Sequence, residues 1–364
     1  MNITFSTNEL RDKLDLVSKV STKHVTLPVL QCVLVEAKGD TVTLKTTNLE
    51  IGIEATLKAS VEEEGVVAVS APLLTQTIFL NQQPETTLKK EGDVLLVESK
   101  NSTTEINTIP TEDFPSIPKI KDQGQKIQKE TFSQGIKTVA FAASQSSIKP
   151  ELGSVYVFQK KEQSLTFVAT DSFRLMEKTV AQKGVVLDDS VLIPFKNALE
   201  MVRVMDVSKS DPVCRIGEGQ ISLQFDEGVY VTSRLTTGSF PDYTQIIPKE
   251  YVTHSTLLKN DLVQAYKKTN IFLNKFFQVK LIVSKDNLTI SANSGESGTT
   301  TESIKANTKG EDLSLNFNQR YLSEPLQHIG DESITLHFAG LGRPMVIDGV
   351  NDKTFRYLVM PMNK

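Results

Sequence analysis

One segment of this chain occurs three times. Val42-Thr43-Leu44-Lys45-Thr46-Thr47-Asn48 aligns with Leu165-Thr166-Phe167-Val168-Ala169-Thr170-Asp171 and with Leu288-Thr289-Ile290-Ser291-Ala292-Asn293-Ser294, and the copies stand 123 residues apart both times. Each copy is β-rich and runs into a polar turn residue. A helical stripe recurs with it. Leu10, Leu14 and Val17 sit at i, i+4 and i+7, Phe132, Ile136 and Val139 repeat them at a shift of 122, and Leu258, Leu262 and Ala265 at a further 126. Ser6 and Glu9 are spaced as a capping box for the first helix. Openings of a second helix, Val69-Ser70-Ala71, Ile193-Pro194-Phe195 and Phe317-Asn318-Gln319, are 124 apart. A closing landmark, Ile109 to Phe114-Pro115-Ser116, matches Leu235 to Phe240-Pro241-Asp242 at a shift of 126. A period this long exceeds any solenoid repeat, so the repeating unit is a whole domain. The chain is expected to be α+β, with three repeated domains at 1–122, 123–246 and 247–364, each an antiparallel sheet with two helices. Linkers are expected near 115–126 and 241–253.

Composition narrows the function. A length of 364 residues suits two or three domains, and 39% apolar residues can build their cores. The net charge of −4 excludes a histone-like or ribosomal type, although one basic face on an acidic body is compatible with it. Trp is absent, which argues against a carbohydrate-stacking module. Cys32 and Cys214 can form neither a disulfide framework nor a zinc cluster, and a reducing cytoplasm is the expected setting. Met1-Asn2-Ile3-Thr4-Phe5 reads as a strand and not as a signal peptide. No apolar stretch is long enough to span a membrane.

Enzyme chemistry is not evident. His24, His254, His328 and His337 have no neighbours at metal-ligand spacing, and neither a metal nor a cofactor is expected. The chain lacks a nucleophile elbow, a P-loop and a dinucleotide-binding fingerprint. Gly340-Leu341-Gly342 is followed by Arg343-Pro344, which prevents a helix start. Asp171 is read as a turn residue, because it fills the place that Asn48 and Ser294 fill in the other copies. Glu62-Glu63-Glu64 reads as a solvated loop.

Charge is unevenly placed. Residues 255–280 carry Lys259, Lys267, Lys268, Lys275 and Lys280 against Asp261 alone, while 281–303 carry Lys285 against Asp286, Glu296 and Glu302. Arg11, Lys13 and Lys19 mark the first helix, with Lys23 after it. Lys137, Lys196, Arg203 and Lys209 mark the helices of the second repeat. Helical segments of all three repeats thus offer cations, diluted by acids, to a phosphate backbone that would be bound without reading bases.

Thr26-Leu27-Pro28-Val29-Leu30, Phe114-Pro115, Thr170-Asp171-Ser172-Phe173-Arg174-Leu175, Gly238-Ser239-Phe240-Pro241-Asp242-Tyr243 and the terminal Val359-Met360-Pro361-Met362 occur in that order on the threefold repeat. Along its whole length the chain resembles the bacterial sliding clamps, the beta subunits of DNA polymerase III. The resemblance implies the DNA clamp fold and a ring-shaped head-to-tail homodimer. Helices would line the hole and sheets form the wall. Such a ring encircles double-stranded DNA irrespective of sequence and acts as a processivity factor with no catalysis of its own. It tethers the replicative DNA polymerase, the clamp loader and repair proteins through short peptide motifs. The expected setting is the bacterial cytoplasm, at the nucleoid during replication.

The resemblance also implies sites. The partner peptide pocket maps to Leu152, Thr170, Ser172, Phe173, Arg174, Leu175, Pro241, Gln245, Ile246, Leu358, Val359, Met360, Pro361 and Met362. Apolar partner side chains need an apolar cleft, and Met adapts to several of them. Phe173 stands where the family commonly has His, and Gln245 where it has Arg. The dimer seam maps to Thr104 and Ile106 against Ile271 and Phe272, and both sides are thinner than the family pattern. DNA contacts map to Lys23, His24, Lys149 and Lys196, with Lys267 and Lys268 adding field. The alternatives are a monomeric multidomain DNA-binding module, separable by size in solution, and a repeat-built enzyme, which would need a polar constellation between domains.

Overall fold

The structure is a computed structural model that describes residues 1–21, 27–146, 148–187, 189–217 and 219–362. Its α-helices are α1 (Thr7–Ser18), α2 (Ala71–Leu80), α3 (Lys129–Val139), α4 (Phe195–Val207), α5 (Lys259–Thr269) and α6 (Gln319–Ser323). Leu10, Leu14 and Val17 of α1 are buried, as are Phe132, Ile136 and Val139 of α3. The third stripe differs from expectation. Leu258 is 52% exposed at the end of the strand Thr253–Leu258, and Leu262, Ala265, Tyr266 and Thr269 form the buried side of α5. The capping box at α1 does not form either. Ser6 makes no side-chain cap; the first helical amide, Thr7 N, donates to the Pro84 carbonyl at 2.9 Å, a partner from distant sequence. The last helix is one short turn that continues as a tighter 3₁₀ turn over Glu324–His328. Pro325 has no N–H to extend an α-helix.

The recurring segment is one strand in all three places, Thr41–Thr47, Ser164–Thr170 and Asn287–Asn293. The turn after it recurs atom by atom in the first two. Asn48 Oδ1 accepts from the amides of Glu50 and Ile51, and Asp171 Oδ1 accepts from those of Phe173 and Arg174, all at 2.9–3.0 Å. In the third copy Ser294 Oγ accepts from Ser297 N at 2.7 Å. The next residue is left-handed each time, Leu49 at φ 76°, Ser172 at 78° and Gly295 at 76°. Asp171 is therefore a turn residue.

By compactness the chain divides into two units, which do not follow the repeats: the middle repeat contributes to both. The first comprises Met1–Ser133, Lys183–Val185 and Lys196–Leu235. It holds a 13-stranded sheet whose central part runs Val213–Gly217, Gln220–Gln224, Val229–Arg234, Ile51–Lys58, Thr41–Thr47, Cys32–Lys38, Gly65–Ser70, Ser102–Ile109, Val94–Ser99. There α1 packs on α2 and on the strands Thr41–Thr47 and Ile51–Lys58. The second comprises Gln134–Gln182, Val186–Phe195 and Thr236–Lys364. It holds a nine-stranded sheet in the order Val191–Pro194, Ser154–Lys161, Ser164–Thr170, Arg174–Ala181, Phe355–Val359, Met345–Gly349, Ser333–Phe338, Thr253–Leu258, Asn307–Gly310. Its four-stranded sheet runs Thr299–Lys305, Asn287–Asn293, Gln278–Val283, Leu313–Asn318.

The left-handed turn position gives a direct test. A Cβ at Gly295 would meet nothing within 4 Å, and the same is true at Gly330, which lacks the positive φ. Gly295→Ala should therefore destabilise the protein by about 1–2 kcal/mol through backbone strain alone. Gly330→Ala should be neutral or stabilising by up to about 1 kcal/mol. Urea unfolding of the two variants checks this.

Candidate functional site

All fourteen residues of the expected partner pocket fall in the second compact unit. Directly opposed residues of paired strands share a face. Leu175 lies opposite Leu358, and Leu358 opposite Val346, so three strands present one apolar strip. Val168 and Tyr243 complete its buried core, and Tyr156, Phe158, Phe240, Ile247, Tyr251 and Met360 pack against it. Met360 follows Leu358 by two and shares its face. Its amide donates to the Phe173 carbonyl at 2.8 Å, carrying the strand pairing beyond Val359. The Met362 amide donates to the Asn316 carbonyl at 2.8 Å, which fixes the chain end across the sheet Leu313–Asn318. Phe173 is 62% exposed, and Ser172, Pro241, Gln245 and Ile246 are exposed as well. Pro361 and Met362 are half-buried. The structure thus brings Leu175, Leu358 and Met360 together and leaves Phe173 and Ile246 as large apolar groups facing solvent.

Two of the expected pocket residues, Arg174 and Thr170, also hold a turn of the fold. Val359 lies opposite Arg174, one residue out of phase with Leu175 and Leu358, so both point to the other face of the sheet. Arg174 is only 9% exposed. Its Nε donates to Asp171 Oδ2 at 3.0 Å, one terminal nitrogen donates to Glu324, and the other donates to the Phe141 carbonyl at 2.7 Å. The guanidinium also lies over the Tyr321 ring, 4.4 Å from its centroid. Three of the five N–H donors of this planar fork thus hold the turn that presents Phe173. Thr170 is buried and donates to the Arg174 carbonyl at 2.6 Å, closing the same turn. Leu152 is buried in the segment before the strand Ser154–Lys161. Sequence reasoning missed Val346, Tyr243 and Ile247 in the strip, and Glu324, Tyr321 and Phe141 behind it. Their distance along the chain left no local signal.

The cations are distributed differently from the charge pattern. Lys23 and His24 lie outside the described residues. Lys149, Lys196 and Lys267 are exposed, while Lys268 pairs with Glu302 at 2.8 Å. Several other helix cations hold the fold together. Arg11 donates to the Asn81 carbonyl at 2.7 Å, Lys13 to the Glu227 carbonyl at 3.0 Å and Arg203 to the Leu16 carbonyl at 2.7 Å. Burial lowers the Lys13 pKa below the usual lysine range. The helix α2 carries no charged residue at all, and Leu80 at its end is 82% exposed.

At the expected seam, Ile271 is 72% exposed and Phe272 is half-buried beside Gly298. Thr104 is half-buried on the rim of a cleft of about 460 Å³ that Thr77, Leu80 and Val97 also line. Ile106 does not fit the expectation of a contact side chain. It lies opposite Leu95 on the buried face of its strand and is 5% exposed, so it belongs to the core. Among the described residues no cluster of His, Cys, Asp and Glu could hold a metal ion, and no helix is long and apolar enough to cross a membrane. Both cysteines are free thiols, and burial pushes Cys32 up to about 11, which keeps it unreactive.

Comparison with known proteins now adds its own weight. Three sequence models match in tandem: the N-terminal domain of the DNA polymerase III beta subunit over residues 1–118, its central domain over 126–242 and its C-terminal domain over 244–363. The beta sliding clamp of Salmonella typhimurium is 27% identical over 366 residues, covering 100% of both chains. A beta sliding clamp homolog, GriR, of Streptomyces muensis is 26% identical over 346 residues, 92% of each chain. The crystal structure of the beta subunit from Thermotoga maritima superimposes with a TM-score of 0.93 at 25% identity, covering 100% of this chain and 99% of that one. This chain belongs to the DNA polymerase III beta subunit family, the bacterial sliding clamps, which are processivity factors and not catalysts.

Proposed function

We propose that this clamp closes as a head-to-tail homodimer around duplex DNA and holds polymerase, clamp loader and repair proteins by short peptides at the strip formed by Leu175, Leu358 and Met360. The observation that carries the reading is the character of that strip. Its buried core is apolar, and two large apolar side chains on segments adjoining it, Phe173 and Ile246, are exposed. Exposed large apolar groups beside an apolar cluster mark an interaction site. Gln245 contributes no charge and Arg174 is paired with Asp171 and Glu324, so peptide affinity rests on apolar anchors more than on ion pairs.

Two open strand edges support the ring. Thr299–Lys305 ends its sheet. Within Ser102–Ile109, only Thr108 and Ile109 pair on the second side, which leaves the edge from Ser102 to Asn107 open. Open edges pair with another chain unless they are blocked. Each has an apolar companion, Leu80 and the cleft near Thr104 on one side, Ile271 and Phe272 on the other. Edge pairing between two copies would bury Ile271 against that cleft. Thr104 contributes at its rim and Ile106 only through its backbone.

DNA would be held by exposed lysines, Lys149, Lys196 and Lys267, with Lys268 sharing its charge with Glu302. Lys23 and His24 join them in this reading. Contacts of this kind go to phosphates, so retention should be sequence-blind and weakened by salt.

Three outcomes are expected. Removing Met360–Lys364 should abolish binding of a fluorescein-labelled peptide with Leu and Phe anchors, read by fluorescence polarisation, while the dimer mass persists in light scattering. Unchanged affinity would refute the pocket. Ile271→Asp should shift the protein to monomer mass, since burying an unpaired carboxylate costs several kcal/mol. The double variant Lys149→Ala, Lys196→Ala should shorten retention on nicked circular DNA and reduce its salt dependence by about two phosphate contacts, with peptide affinity unaltered. Equal retention in parent and variant would show these to be solvated surface lysines.

A further inference from the structure

The apolar strip does not stop at Val346. Val346 lies opposite His337, His337 opposite His254, and His254 opposite Lys309. One row on one face therefore runs from the pocket floor to a histidine pair. The two rings meet through Nδ1 atoms 2.7 Å apart. His337 Nε2 stands 3.5 Å from Asp348 Oδ2. The contact needs one ring to donate and the other to accept; with the His337 proton on Nε2, toward the carboxylate, its Nδ1 lone pair accepts from the Nδ1–H of His254. Both nitrogens of His337 are then engaged, and a second proton on it would displace the donor.

Tyr251 bridges the pair and the pocket. Its ring lies 5.7 Å from His254 and 5.2 Å from His337, and it packs against the apolar cluster that contains Leu175, Leu358 and Met360. Tyr251 ends the segment Phe240–Tyr251, in which Phe240, Tyr243 and Ile247 also pack on that cluster while Pro241, Gln245 and Ile246 face solvent. The geometry points to a positioning role for the hydrogen-bonded His254–His337 pair: it fastens Tyr251, and with it the segment that forms one wall of the peptide pocket, so that the wall is released by protonation of His337. The inference rests on the pocket reading above.

The charged groups around the pair are Lys309 on one neighbouring strand, Asp348 on the other, Lys353 in the turn beyond, and Arg356, which acts on both Tyr251 and Asp348. Burial, then His254 and Lys353, lower His337 to about 4. A released wall lets His337 take a proton near its ordinary value of about 6.5, whereas the fastened wall resists to about 4. Fastening is complete above about pH 6.5 and weakens as pH falls through that window, by up to about tenfold per pH unit.

The full-length dimer tests this in three forms: the parent, His254→Ala with His337→Ala, and His254→Asn with His337→Asn, whose amides can keep a cross-strand hydrogen bond but do not titrate. Hydrogen exchange reads the wall directly. In the alanine pair, amides within 240–251 should exchange at least about tenfold faster, with other segments unchanged. The asparagine pair should restore protection. In the parent, affinity for the fluorescein-labelled Leu/Phe peptide should fall between about pH 6.5 and pH 5, and in the asparagine pair it should stay flat. Unchanged exchange in the alanine pair, or an acid response that survives in the asparagine pair, would overturn the inference. A parent that binds no peptide at all would overturn the pocket reading instead, and exchange would still decide whether the pair fastens the segment.

Discussion

Strand pairing between successive repeats is the constraint on which the rest of this structure depends. Val229–Arg234 of the second repeat pairs antiparallel with Ile51–Lys58 of the first, and Phe355–Val359 of the third pairs with Arg174–Ala181 of the second. The registers correspond: Gly52 lies opposite Thr232 where Leu175 lies opposite Leu358. Because side chains alternate with period two, a slip of one residue would turn every buried side chain to the opposite face. The pairing explains why compactness divides the chain within its middle repeat. It also explains how residues about 185 apart can build one strip.

Equal registers with unequal residues produce different surfaces. At the first seam Gly52 leaves a gap that the side chain of Ile117 fills, with its nearest carbon 3.0 Å from where a Cβ would stand. Pro118 accepts there from the Tyr230 hydroxyl, and Lys119 lies over the Tyr230 ring and pairs with Glu54. At the second seam the corresponding place holds Leu175, and the strand runs on into Met360 and Met362 where the first seam has the exposed Arg234. The second seam therefore carries an apolar cluster, covered by Phe240, Tyr243 and Ile247 of its own linker, where the first carries Ile117, Pro118 and Lys119. The repeat gives both seams one geometry, and the residues at corresponding positions decide what each presents.

Cations follow a similar division. Arg174, Arg11, Lys13 and Arg203 are anchored on carbonyls or carboxylates. A buried cation in such a network is valuable for orientation, because removing one partner leaves the other uncompensated. Surface lysines such as Lys149 and Lys196 keep their charge in water, where they can meet phosphate at little desolvation cost. Counting lysines by helix cannot separate these roles, since each depends on which carbonyl or carboxylate arrives from elsewhere.

Periodic features were legible in the sequence because they are local. The 123-residue repeat, the strand and turn at Asn48, Asp171 and Ser294, and the α1 and α3 stripes follow from alternation, helical spacing and turn chemistry, which act over a few residues. The resemblance to the clamp family likewise rested on short ordered motifs. Tertiary structure alone decided what those motifs face. It turned Arg174 and Val359 to the face opposite Leu175 and Leu358, buried Ile106, brought the Pro84 carbonyl to the first amide of α1, and joined Val346, His337 and His254 into one row. Each of these depends on register between strands far apart in the chain, which no local pattern encodes and which only the simultaneous packing of both faces selects.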